Sequence, residues 1–73
     1  SLERRLALFL REECARRRGP TFAATHEQIA RYIGSSREVV TRALNQLAGR
    51  GIVSLGRGTV TVLDPDTLDD LAE

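Results

Sequence analysis

The sequence has no lysine, methionine or tryptophan, and it contains one cysteine, Cys14, and one histidine, His26. One cysteine cannot form a disulfide within the chain, which favours a cytoplasmic location. A lone histidine and a lone cysteine on different predicted helices provide neither a metal site nor a nucleophile with its base. We therefore expect no enzymatic activity, no metal ion and no cofactor in this domain.

Long hydrophobic runs are also missing. No apolar segment approaches the roughly 20 residues needed to cross a bilayer, and no secretory leader is visible, so we expect no membrane association. The 73 residues, 41% hydrophobic and 29% charged, have the composition of one globular domain. In a chain this short we expect no extended active-site cavity.

Charge is distributed unevenly along the chain. The last ten residues hold five of the 10 acids and no base, so residues 1–63 carry 11 arginines and a formal charge of about +6. The guanidinium group forms two parallel hydrogen bonds to phosphate or guanine, although exclusive use of arginine is also what a GC-rich genome produces.

The first part of the chain predicts an amphipathic helix from Leu2 to about Arg18, closed by Gly19-Pro20. Its apolar residues recur at helical spacing: Leu2, Leu6, Phe9, Leu10 and Cys14. We interpret Cys14 as a core residue. The run Arg16-Arg17-Arg18 suits the negative end of a helix dipole, with phosphate contact as the second interpretation.

A second, short helix follows an extended link at residues 21–24. Thr25 and Gln28 have the spacing of a capping box, and Gly34 is a typical helix terminator. The predicted inward side chains of this helix are Ile29, Tyr32 and Ile33.

The third predicted helix begins at Ser35 or Ser36 and runs to about Ala48, before Gly49-Arg50-Gly51. At 100° per residue its apolar side chains fall on one face: Val40, Ala43, Leu44 and Leu47. The opposite face is polar and consists of Arg37, Glu38, Thr41, Arg42 and Asn45.

Two β-rich segments, residues 52–55 and 59–63, flank Gly56-Arg57-Gly58 and predict a hairpin with Arg57 at its tip. Val60 and Val62 alternate with threonines, which indicates a strand with one solvated face. Asp64-Pro65 then has the chemistry of a helix start and predicts a last short helix.

This order of elements predicts a mainly α fold with a small β hairpin: a winged helix-turn-helix over residues 1–73, with a three-helix core, a wing and a short C-terminal helix. The helix-turn-helix covers about residues 25–49 and the wing about residues 52–63. Such a fold presents its third helix to the major groove of double-stranded DNA.

The polar face of the third helix has the donors and acceptors that base recognition requires. Arginines at 37 and 42 can each bind guanine through two hydrogen bonds, and Glu38 can accept from cytosine N4. Ser36 and the free N–H groups at the helix start suit a phosphate. Glu38 has a second interpretation, because it also completes a capping box with Ser35 and is stabilised in the first turn of any helix.

The runs THEQIARYIGSSREVVTRALNQLAGRGIV and GRGTVTVLDPDTLDDLA resemble the C-terminal DNA-binding domain of the cyclic-AMP receptor / fumarate-nitrate regulator family of bacterial transcription factors. The resemblance covers almost the whole chain. It implies that Arg37, Glu38 and Arg42 contact bases and that Ser36 contacts a phosphate.

Two positions depart from the family pattern. Val39 stands where many relatives have threonine, so the hydroxyl that could donate to a phosphate is absent. Its methyl groups are expected to pack on the second helix or on a thymine methyl instead. Thr41 replaces a smaller residue or serine, and we assign it to base reading. We assign His26, Asn45 and Arg57 to phosphate binding; an exposed His26 without a role is the alternative.

The resemblance also implies a larger protein. Relatives carry an N-terminal sensor barrel and a dimerisation helix, so a small-molecule or redox effector is expected to bind a part of the protein outside this chain. The full-length protein is expected to be a homodimer on a palindromic site, with RNA polymerase as a further partner. The isolated fragment is expected to be monomeric or weakly associated.

Two other functions use the same fold. A GntR-like regulator shares the SRxxVxxAL pattern, but the VLDPDTLDDLA ending favours the first family. A winged helix that binds protein would expose an apolar face on its third helix, whereas this sequence places charged and polar residues there.

Overall fold

The computed structural model describes all 73 residues, as four helices and three strands. In chain order these are α1 (Leu2–Arg17), β1 (Thr21–Ala23), α2 (His26–Ile33), α3 (Arg37–Gly49), β2 (Val53–Gly56), β3 (Thr59–Val62) and α4 (Pro65–Ala72). The predicted winged helix-turn-helix is confirmed. None of the four helices combines the length and the hydrophobicity needed to cross a membrane.

The sheet has one strand more than the predicted hairpin. Residues 21–23 of the extended link pair antiparallel with β3, so the strand order is β1-β3-β2. Phe22 lies opposite Val60, and both side chains are buried. A three-residue strand is too short to show alternation in the sequence, and only its pairing with β3 reveals it.

The core lies between the helices and the inner face of the sheet. Helix α1 contributes Leu6 and Leu10, α3 contributes Leu44, and β3 contributes Val60, all with no exposed surface. Full burial of such a side chain contributes about 1.5–3 kcal/mol to the free energy of unfolding. The polar face of α3 is therefore held by an apolar face that is anchored in the core.

Helix α2 differs from its prediction at one inward position. Tyr32 is 70% exposed, and Ala30 is buried together with Ile29 and Ile33. Ile29, Ala30 and Ile33 fill the inward face of this two-turn helix, so the side chain of Tyr32 points outward. Its ring rests against Phe9 of α1, with centroids 5.0 Å apart, so it covers the edge of the core without entering it.

The end of α1 also differs from its prediction. Glu13 is buried and pairs with Arg16 and Arg17, whereas Cys14 is only partly buried against the core. Partial burial raises the pKa of the Cys14 thiol. The ion pairs explain how a carboxylate is tolerated at a buried position and assign a structural role to two arginines of the basic run.

The C-terminal acids lie on α4, which packs mainly against α1. Asp64 is its N-cap and Pro65 its first residue, as predicted. Arg4 Nε donates to the carbonyl of Glu73 at 2.8 Å, and Arg11 lies 3.8 Å from a carboxylate oxygen of Asp69. These contacts place the acidic segment on the α1 side of the molecule.

Candidate nucleic-acid interface

The helix-turn-helix begins at Thr25, whose side chain caps α2. Thr25 Oγ1 accepts from the backbone N–H of Gln28 at 3.1 Å, and Gln28 Oε1 accepts from the backbone N–H of Thr25 at 2.9 Å. The predicted capping box is confirmed. Gly34 ends the helix with φ of 75°, a conformation that glycine adopts without steric cost, and this reverses the chain towards α3.

Helix α3 is capped by Ser36 and not by Ser35. Ser36 Oγ accepts from the backbone N–H of Val39 at 3.2 Å. Val39 therefore occupies the third helical position, and the predicted capping box of Ser35 with Glu38 is wrong. Glu38 stands in the first turn, exposed, and its carboxylate has no hydrogen bond or salt bridge within the chain.

The two faces predicted for α3 are present in the structure. Val40, Leu44 and Leu47 are buried. The exposed side chains on the other side are Arg37, Glu38, Arg42 and Asn45. Val39 and Thr41 are half-buried at the border of the two faces.

A hydrogen bond connects the start of α2 with the second turn of α3. His26 Nδ1 lies 2.7 Å from Thr41 Oγ1, and both side chains are half-buried. Because α2 and α3 also pack against each other, this bond fixes two of the predicted DNA-contacting side chains relative to one another. The sequence places these residues 15 positions apart and gives no sign that they meet.

The wing is attached to the same region. The backbone N–H of Ala24 donates to the carbonyl of Gly58 at 2.9 Å, which holds the tip of the β2–β3 hairpin beside the start of α2. Gly56 pairs with Thr59, so the turn consists of Arg57 and Gly58, the latter with φ of 68°. The Arg57 side chain is therefore presented at the tip, as the sequence predicted.

A concave surface lies where these three parts meet, and we call it the polar groove. Its lining has no hydrophobic residue and consists of Thr25, His26, Glu27, Arg37, Gly56 and Gly58. The backbone N–H groups of His26 and Glu27 have no helical partner, as at every helix start, and so can donate to an anion. The groove is thus an open polar cleft between the N-terminal ends of α2 and α3 and the wing.

The arginines divide into paired and unpaired side chains. Seven of them bind within the chain, for example Arg5 Nη1 to the carbonyl of Ile33 at 3.0 Å and Arg50 to Glu3 at 3.7 Å. The arginines without a hydrogen bond or salt bridge in the chain are Arg18, Arg37, Arg42 and Arg57. All but Arg18 lie on α3 or the wing tip, where their charge is available to a polyanion.

The structure therefore brings together His26, Thr41 and Arg37 around the polar groove and its border. Ser36, Glu38, Arg42 and Asn45 lie on α3 beside it, and Arg57 stands on the wing. Sequence reasoning missed Thr25 and the wing glycines as lining residues. The capping box marked Thr25 in the sequence, but the wing contact depends on β1 pairing with β3. No three His, Cys, Asp or Glu side chains cluster as metal ligands would.

Comparison with known proteins gives one consistent result. Residues 4–71 match the Crp-like helix-turn-helix domain. The chain is 44% identical over 54 residues to the cyclic AMP receptor protein of Thermus thermophilus, a match that covers 74% of this chain and 25% of that protein.

Solved structures agree with the sequence matches. A Crp/Fnr-family transcriptional regulator from Eubacterium rectale superposes with a TM-score of 0.96 at 43% identity, over 99% of this chain and 33% of that one. The catabolite activator protein of Thermus thermophilus gives a TM-score of 0.89 at 38% identity, over 96% of this chain and 33% of that one.

These relatives are transcription regulators and not enzymes. The chain spans 25% of the curated relative and 33% of each of these two solved chains, so it corresponds to one domain of such proteins. The family match covers nearly all of this chain: the helix-turn-helix, the wing and most of α1 and α4. The chain belongs to the Crp-like helix-turn-helix family, the DNA-binding domains of Crp/Fnr transcription regulators.

Proposed function

We propose that this domain binds double-stranded DNA sequence-specifically, with α3 in the major groove and the polar groove on the phosphate backbone. The observation that carries this proposal is the position of the unpaired charges. Arg37, Glu38 and Arg42 project without intrachain partners from a helix whose other face is locked in the core. A major groove about 12 Å wide admits one such helix.

Base reading is assigned to four side chains of α3. The guanidinium groups of Arg37 and Arg42 each match O6 and N7 of guanine, and the carboxylate of Glu38 matches the N4 amino group of cytosine. Thr41, at the border of the exposed face, contributes a hydroxyl. An unpaired carboxylate beside phosphates costs electrostatic energy, which favours a role for Glu38 in base recognition over non-specific binding.

Phosphate binding is assigned to residues around these readers. The Ser36 hydroxyl accepts from Val39 and still has its proton to donate. The only hydrogen bond of the His26 ring within the chain is made by Nδ1 to Thr41, so Nε2 has no partner there. Arg57 extends from the wing and Asn45 from the far part of α3, so the proposed phosphate contacts flank the base-reading side chains.

The remainder of the proposal concerns the whole protein. We infer a homodimer that sets two α3 helices about 34 Å apart on one face of a palindromic site, the spacing of one DNA turn. A small-molecule or redox effector would act through a domain outside this chain. RNA polymerase is the expected partner at a promoter, and the bacterial cytoplasm is the expected location.

Selection from a randomised duplex library tests the proposal directly. The 73-residue chain is expected to enrich one half-site over random sequence, and fluorescence anisotropy then gives dissociation constants for the selected and scrambled duplexes. A specific half-site should bind at least about tenfold more tightly, because each good base contact contributes about 1–3 kcal/mol of discrimination. Equal binding of both duplexes would contradict sequence-specific recognition.

A further inference from the structure

The hydrogen bond between His26 and Thr41 joins two side chains with different proposed roles. His26 is assigned to a phosphate and Thr41 to a base. Nδ1 of His26 and Oγ1 of Thr41 are 2.7 Å apart, and neither atom has another hydrogen bond within the chain. His26 also lines the polar groove, so Nε2 is the nitrogen available to a phosphate there. The protonation state of the His26 ring thus affects both the phosphate contact of Nε2 and the hydrogen bond between Nδ1 and Thr41.

A phosphate contact determines the tautomer of the neutral ring. Phosphate oxygens only accept, so Nε2 must carry the proton, and Nδ1 of that tautomer is an acceptor. The Thr41 hydroxyl must then donate its proton to Nδ1. Its oxygen is left with lone pairs only, and towards DNA Thr41 acts as a hydrogen-bond acceptor.

Protonation of the ring reverses this arrangement. Both nitrogens of a charged imidazole are donors, so Nδ1–H donates to Thr41 Oγ1. The Thr41 hydroxyl proton is released and can be donated outward. Histidine is the side chain whose charge ordinarily changes within the physiological pH range.

We propose that His26 sets the hydrogen-bond polarity of Thr41 and thereby makes one base preference of this domain dependent on pH. With neutral His26, Thr41 accepts and suits N4 of cytosine or N6 of adenine. With charged His26, Thr41 donates and suits O6 or N7 of guanine or O4 of thymine. His26 is a positioning residue for this contact, and the inference rests on the proposed DNA-binding function.

Several charged groups surround this pair. Glu27 and Arg37 line the same groove, Arg57 stands at the wing tip between two lining glycines, and Glu38 and Arg42 lie near Thr41 on α3. Glu27 is already 3.8 Å from Arg31 in an ion pair. The hydrogen bond to Nδ1 makes the Thr41 hydroxyl change from donor to acceptor towards the ring when the ring gains a proton.

The test is selection from a randomised half-site library at about pH 8 and about pH 5.5, on either side of the range in which histidine ordinarily titrates. For the unmodified chain, preference at one base-pair position should change by about five- to tenfold, the size of one net hydrogen bond. The change should disappear in Thr41→Val, which loses the hydroxyl, and in His26→Gln, which does not titrate.

Thr61→Val is the matched control. Thr61 Oγ1 lies 2.9 Å from Thr21 Oγ1 on the sheet, so this variant also removes a hydroxyl from a side-chain pair, but away from α3. It should keep the pH-dependent preference. Thermal melts at both pH values establish that each variant is folded before its site is selected.

The outcomes separate the two proposals. An unchanged half-site at both pH values, or a change that persists in Thr41→Val, overturns this inference and leaves sequence-specific binding intact. Absence of any sequence preference overturns both. As a second measurement, a long-range ¹H–¹⁵N spectrum of the DNA complex at about pH 8 should show Nδ1 of His26 unprotonated, and a protonated Nδ1 contradicts the inference.

Discussion

Glu38 shows how the interpretation of one residue depends on its neighbours. Taken alone in the sequence, it suits both a capping box and base reading, and its neighbours Arg37 and Arg42 favour base reading. Capping by Ser36 puts Val39 at the position a capping-box partner would take, so the Glu38 carboxylate is left exposed and without a partner in the chain. Its interaction with the helix dipole remains, but the lack of a local partner leaves the carboxylate free to accept from a base.

The arginines should divide into readers and a phosphate anchor. Arg37→Ala and Arg42→Ala are each expected to lower discrimination between the selected and a mismatched half-site by about 1–3 kcal/mol, because each removes a contact to a base. Arg57→Ala is expected to weaken both duplexes about equally, since phosphates carry no sequence. Anisotropy titrations at fixed salt provide both dissociation constants for each variant.

Arg18→Gln is the control for this series, because Arg18 is also unpaired but lies at the end of α1. It should change neither affinity nor discrimination by more than about twofold, because salt largely screens an exposed charge that lies outside the interface. Equal losses of discrimination in all three interface variants would show that these arginines do not have separate roles.

Glu38→Gln should have opposite effects on specific and random DNA. Removing the negative charge relieves repulsion from phosphates, so affinity for random duplex is expected to rise about two- to fivefold. Preference for a cytosine at the contacted position is expected to fall by about tenfold. Glu12→Gln, an exposed acid on α1, serves as the control for the loss of one negative charge. A loss of affinity for both duplexes would indicate that Glu38 only supports the helix.

At the scale of elements, short helices depend on their first residues. The start of α2, α3 and α4 is each fixed by a side chain: Thr25, Ser36 and Asp64. Asp64 accepts from both the hydroxyl and the backbone N–H of Thr67, at 2.7 and 3.1 Å. Helix α4 therefore packs on α1 with its first turn already stabilised, and α1 in turn supports the helix-turn-helix.

The Asp64 cap should make α4 sensitive to acid. Its hydrogen bonds to Thr67 lower the pKa of the Asp64 carboxyl from the ordinary value of 3.8. A lowered folded-state pKa means that the ionised cap contributes stability above pH 3.8 and that this contribution is lost as pH falls towards and through the folded-state value. Asp64→Asn keeps a capping oxygen but removes the charge, so Tm of the variant should decline less steeply below about pH 4.

Thermal melts followed by circular dichroism between about pH 2 and pH 7 measure this difference. Asp66→Asn is the control, because Asp66 is exposed in the same first turn but does not cap the helix. Parallel pH profiles for the unmodified chain and Asp64→Asn would contradict a role for the ionised cap.

At the scale of the whole molecule, the fold packs α4, which carries most of the C-terminal acids, against α1 and not against α3. Arg11 of α1 lies beside Asp69 of α4, while Arg37, Arg42 and Arg57 have no salt bridge within the chain. A formal net charge of +1 therefore conceals a local excess of unpaired positive charge on α3 and the wing. Such an arrangement orients the domain as it approaches DNA.

The salt dependence of DNA binding should show which of these charges contact the DNA. The logarithm of the binding constant is expected to fall linearly with the logarithm of salt concentration, and Arg57→Ala should reduce the slope by about one. The double variant Asp66→Asn/Asp70→Asn changes two exposed charges on α4 and should leave the slope unchanged. If the α4 variant changed the slope as much as Arg57→Ala does, the acids of α4 could not lie outside the DNA-binding surface.

Much of this molecule follows from local rules. The period of the apolar residues, the capping residues and the glycine terminators predicted each helix to within about two residues, because these signals act within one or two turns. The alternation of valine and threonine predicted the wing strand in the same way. The chemical types on the outer face of α3 were also readable, since helical periodicity alone decides which residues share a face.

The sequence by itself determined the fold class, the position of α3 and the types of side chain on its outer face. Tertiary structure decided which side chains are buried and which meet: Tyr32 turns outward, Glu13 is buried, and His26 bonds to Thr41. The physical reason is the distance along the chain over which each kind of interaction acts. Helix caps and periodicity depend on residues within a few positions, whereas burial and the partnering of charges depend on segments that only packing brings together.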